Sequence, residues 1–78
     1  MNKTRSSRVE AVINQIEELL TEVEEVLEEE QEAFNNLLLS IQLSERGERM
    51  GEWVDAIDAA HDSLEEARDG LQEMLDGE

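Results

Sequence analysis

The chain has 78 residues, with 22 Asp and Glu against 6 Lys and Arg, a formal net charge of −16, and neither cysteine nor proline. That length limits it to one small domain. The missing cysteines exclude disulfides and thiolate metal sites, and the missing basic surface excludes direct nucleic-acid binding and disfavours anionic membranes.

The charge is unevenly placed. Residues 1–8 carry net +3, residues 9–43 carry ten acids and no base, and residues 44–78 carry net −9. The opening stretch with Lys3, Arg5 and Arg8 leads into acidic sequence rather than an apolar signal-peptide core. No apolar run approaches the roughly 18 residues that span a bilayer, so a cytoplasmic location is expected. Residues 1–7 are expected to form a flexible basic arm, either disordered or bound to an acidic surface.

A first helix is predicted over residues 8–37. Ser7-Arg8-Val9-Glu10 fits a capping box, in which the serine satisfies a free backbone N–H and the glutamate reaches back. With Val9 at heptad position a, that column holds Val9, Ile16, Val23, Glu30 and Leu37. Column d holds Val12, Leu19, Val26 and Ala33, and column e holds Ile13, Leu20, Leu27 and Phe34. Residues 38–43 are read as a turn too short for parallel helices, so the second helix returns antiparallel.

The second helix is predicted over residues 44–75, with Ser44 as N-cap. Met50, Ile57, Leu64 and Leu71 recur at a, Trp53, Ala60, Ala67 and Met74 at d, and Val54, His61, Arg68 and Leu75 at e. Large residues on the first helix meet smaller ones on the second, which lets the axes approach closely. Gly47 and Gly51 signal either close contact with another backbone or a weak helix start.

The fold class expected is therefore all-α: a helical hairpin that dimerises into a four-helix bundle. The argument is one of width, since an a/d/e stripe is broader than the seam of a two-stranded coil. Column e of the first helix is expected to stay partly wet and to pair with a second copy. The interface so predicted comprises Ile13, Ile16, Leu20, Val23, Leu27, Phe34, Trp53, Val54, Ile57, Leu64, Leu71 and Leu75. Glu30, the one polar break in column a, is expected to pair with Arg49 and set the register.

The segment Ser44-Glu45-Arg46-Gly47-Glu48, with Met50 and Ala56-Ile57-Asp58, resembles small acidic helical-hairpin proteins of bacteria and phages. Those read roughly N-L-P-x-S-L-Q-x-S-E-R-G-E-x-M across the turn. Leu38 stands where that pattern has proline. The resemblance covers about 25 residues, implies a hairpin in a prophage-like context, and transfers no active site.

Three constellations invite chemistry. Asp58 and His61 have the spacing of a carboxylate and an imidazole in helical-bundle metal sites, but Asp58 falls at b, and Glu30, the nearest inward acid, is expected far along the bundle. The bland reading of His61 is a boundary residue near Asp58, Asp62 and Glu65. Glu24, Glu25 and Glu28 with Glu52 and Asp55 resemble the carboxylate signature of MazG-type, Mg²⁺-dependent nucleotide pyrophosphatases, but the heptad turns both sets to solvent. Glu25, Glu28, Glu29 and Glu32 form an acidic surface that either keeps the protein soluble or mimics nucleic acid toward a basic protein partner. Trp53 and Phe34 either plug the bundle end or anchor a partner.

No nucleophile lies beside a base, and there is no phosphate-binding glycine loop. The chain is read as non-enzymatic, with no catalytic residue, metal or cofactor, and as acting through protein–protein interaction, as a homodimeric assembly module of phage or prophage origin. The alternatives are an acidic nucleic-acid mimic and the MazG-like enzyme.

Overall fold

A computed structural model describes all residues, Met1–Glu78. Two long helices, α1 (Lys3–Asn35) and α3 (Glu45–Asp76), pack against each other, joined by a single-turn helix, α2 (Leu39–Gln42). The chain is a rod of 58 × 15 × 14 Å. There is no strand, and no helix is long and apolar enough to cross a membrane.

α1 begins earlier than the sequence suggested. Its N-cap is Asn2, whose side-chain oxygen accepts the Arg5 N–H at 2.8 Å. Such a cap satisfies one of the free N–H groups of the first turn. Ser7, the expected cap, lies inside the helix. The predicted flexible arm is thus helical and docked on the other end of the chain. The Ser6 hydroxyl donates to both carboxylate oxygens of Glu78, at 2.9 and 3.0 Å, and the Met1 amine lies 3.2 Å from the same side chain. These contacts hold the Glu78 carboxyl below its ordinary range.

The tip is the most specified part of the rod. α1 ends without a basic residue in its last turn. The Gln42 side-chain amide takes that role, donating to the carbonyls of Phe34 at 3.1 Å and Leu37 at 3.2 Å, which are groups that a helix C-terminus leaves unpaired. Leu38 is extended, with φ −60° and ψ 146°. Ser44 caps α3 as expected, its oxygen accepting the Gly47 N–H at 3.4 Å while its hydroxyl donates to the Ile41 carbonyl. Glu45 and Glu48 occupy the first turn of α3, where negative charge suits the helix dipole.

Gly47 answers the question posed by the paired glycines. A Cβ there would stand 2.2 Å from the Gln42 carbonyl oxygen and 2.5 Å from that of Ile41. Only glycine lets α3 start against the backbone of α2. Gly51 has nothing within 4 Å of the same position, so close approach explains the first glycine and not the second.

Facing residues count outward from Gln42. Ser6 meets Glu78, Glu24 meets His61, and Val26 shares a groove with Ile57 and Ala60. The pivot corrects the predicted register pair. Glu30 lies level with Val54, and Arg49 lies level with Asn35, more than a helical turn nearer the tip. No ion pair includes either residue.

Candidate interaction site

The hairpin buries little. Its fully covered hydrophobic residues are Ile13 and Leu20, each 4% exposed, and Met50 at 9%. Ile13 and Leu20 belong to column e of α1, the column expected to stay wet. The seam between the helices is therefore built from columns a and e. Ile16, Val23, Leu27, Phe34, Val54, Ile57, Leu64, Leu71 and Leu75 are half-buried around it. Of the predicted interface residues only Trp53 is fully open, at 56% exposure.

The cause lies in the side chains that α3 presents. Column e of α3 carries Val54, His61, Arg68 and Leu75, which are long enough to cover their neighbours on α1. Column d of α3 carries Ala60 and Ala67 through its middle, which are not. Column d of α1 is consequently uncovered: Val12, Leu19 and Val26 are 43%, 47% and 46% exposed. On the same face, Val23, Val26, Ile57 and Ala60 line one open groove, edged by Glu22. Trp53 and Met74, at d of α3, are also exposed, so the heptad sets these apolar residues on one side of the rod. Sequence reasoning missed this face, although the alanines at d of α3 were its signal.

The opposite flank is polar and closed. Its groove is lined by Glu10, Asn14, Gln72 and Asp76 beside Ile13 and Leu75. At its centre His61 joins the two helices. Its Nε2 lies 2.8 Å from Glu24 Oε1 of α1, and its Nδ1 lies 3.1 Å from Glu65 Oε1 and 3.7 Å from Asp62 Oδ1. The hydrogen bond to Glu24 raises the His61 pKa above its ordinary 6.5; partial desolvation opposes this, and the charges of Glu65 and Glu24 add to it. Glu24 was not anticipated as the partner, and Asp58 makes no contact with the ring.

His61, Asp62 and Glu65 are the only acidic and histidine side chains close enough together to share a metal ion. Both ring nitrogens already face carboxylates, an arrangement that an imidazolium satisfies without one. Glu30 does not join this group. The carboxylates of the MazG-like pattern are dispersed: Glu24 is engaged with His61, while Glu25, Glu28, Glu52 and Asp55 are exposed. The acidic surface of Glu25, Glu28, Glu29 and Glu32 is exposed along α1, with a shallow depression where Glu28 and Glu32 meet Gln31, Asn35 and Asn36.

No family model matches the chain, and neither the curated proteins nor the solved structures contain a match to it.

Proposed function

We propose that the chain is a non-enzymatic protein-interaction module that assembles with itself through its open apolar face. The observation that carries this reading is the area the hairpin leaves uncovered. A compact monomer of its mass, 8.9 kDa, exposes about 4,800 Å². The hairpin exposes 5896 Å². The excess is larger than the ~800 Å² that each partner gives to an interface of standard size, and a long apolar strip on one side of a rod is where association is expected. The prophage-like context suggested by the turn motif fits a small assembly module but adds no residue to the site.

The reading is tested by placing charge on each surface in turn. Leu19→Asp or Val26→Asp is expected to abolish self-association seen by sedimentation while helix content by circular dichroism is retained. Reversing Glu25, Glu28, Glu29 and Glu32 to lysine is expected to leave self-association in place. The opposite pattern would assign the working surface to the acidic side and favour a basic protein partner.

A further inference from the structure

The open face has a relief that restricts how two copies can meet. On α1 it is a ridge of Val12, Leu19 and Val26. On the middle of α3 it is a trough, because positions d and g there are small: Ala56, Ala60, Ser63 and Ala67, all exposed, with the exposed Met74 closing its far end. Near the tip the relief inverts, with Trp53 standing up on α3 and Ala33 low on α1.

Counting from the pivot at Gln42, Leu19 lies level with the gap between Ser63 and Ala67. Val26 lies level with the gap between Ala56 and Ala60, and Ala33 lies near the level of Trp53. A face with its ridge on one helix and its trough on the other fits itself only if ridge is laid on trough. We propose that a second copy of this chain covers the face, turned by half a rotation about an axis parallel to the helices, so that α1 of each copy lies along α3 of its partner. This rests on the self-assembly reading above and specifies its geometry. A two-fold axis in that direction allows no sliding along the rod, so the heights set within one hairpin are the heights at which the copies meet. Leu19 then enters the gap between Ser63 and Ala67, and Trp53 covers Ala33.

Charge selects the same arrangement. Each copy carries −16, so like-charged edges must be kept apart. The edge of α1 beside the ridge carries Glu22 and Glu29, whereas the corresponding edge of α3 carries Arg49, Ala56, Ser63 and Gly70 and no acid. Laying α1 on α3 sets the glutamates against an edge without carboxylates. The other face-to-face dimer has its axis across the helices. It lays ridge on ridge and brings the two glutamate edges together.

The chain has no cysteine, so introduced thiols report contacts cleanly. Leu19→Cys and Ala67→Cys chains are mixed, exchanged and mildly oxidised, after sedimentation has established the mass of each. The expected result is a covalent dimer containing one chain of each kind, with little product from Leu19→Cys alone. A covalent Leu19→Cys homodimer would overturn the proposed axis in favour of ridge on ridge, leaving self-assembly intact. Dimers by sedimentation that form neither product would overturn the use of this face. Monomers, confirmed as such for the unaltered chain at the same concentration, would overturn both the axis and the self-assembly reading.

Discussion

The two flanks of this hairpin begin from the same heptad stripe and end in opposite conditions. On one flank, Ile13 and Leu20 are almost completely covered and an imidazole bridges the helices to Glu24. On the other, Val12, Leu19 and Val26 are nearly half exposed. The columns of α1 do not differ in kind, since both are apolar. What differs through the middle of the rod is the reach of the side chains that α3 sets opposite them: Val, His, Arg and Leu on the closed flank, alanine at positions 60 and 67 on the open one. Burial of a residue in a two-helix protein is thus decided by the size of its neighbour as much as by its own hydrophobicity.

The sharpest way to break this contrast is at the tip, which sets how the helices are rotated against each other and so which flank is closed. Gly47→Ala places a methyl group into the Gln42 and Ile41 carbonyls. It is expected to destabilise the fold by about 3 kcal/mol, the upper part of the usual overpacking range, read as a lowered urea midpoint. Gly51→Ala, with open space at its Cβ, is expected to stabilise by up to about 1 kcal/mol through helix propensity. If both behave alike, close approach is not the reason for Gly47.

The contrast is tested most directly by neighbouring leucines. Leu20→Ala is expected to cost the fold about 3 kcal/mol by removing buried side chain and leaving a cavity. Leu19→Ala is expected to cost the isolated hairpin under about 1 kcal/mol, because about half of its side chain is already in water. Denaturant melts at low protein concentration separate the two, and equal losses would remove the distinction between flanks.

On the closed flank, His61 predicts a pH dependence. Its pKa is raised by Glu24 on α1 and by Glu65 and Asp62 on α3. The stability it contributes is fully present below the unfolded value of 6.5 and is lost as pH rises through the higher folded value. Melting temperature should therefore fall on going upward from pH 6.5, and His61→Gln should flatten the profile there. An unchanged slope would show that the imidazole does not hold the helices together.

The smallest effect is expected at Leu38. Its φ of −60° is one that proline adopts, and its N–H donates no hydrogen bond in the turn. Leu38→Pro is expected to stabilise by about 0.5 kcal/mol through the entropy of the unfolded chain. Since the substitution touches neither flank, it serves as a control on both.

Much of the architecture was legible in the residues. The seven-residue repeats of Met50, Ile57, Leu64 and Leu71 marked the second long helix, and Ser44 marked its start. The lack of any long connection implied the antiparallel return. Other features depended on information that periodicity does not carry. The pattern Ser7-x-x-Glu10 satisfies a capping box by sequence, yet Asn2 outcompetes it because more turns can form upstream and dock on Glu78. Three adjacent columns were apolar, and the repeat alone does not say which two face inward. That choice follows from the alanines on α3 and from the one-turn helix at the tip, which sets the pivot at Gln42 and leaves Glu30 and Arg49 at different levels. The acidic composition was plain from the outset, but it describes the solvated surface and not the face proposed to work.

Self-assembly through the open face is the central claim, and sedimentation equilibrium of the unaltered chain at micromolar concentration in physiological salt tests it most directly. A mass twice the 8.9 kDa of one chain, falling to that of one chain with Leu19→Asp, is the result expected. A single-chain mass for the unaltered protein across that range would contradict it.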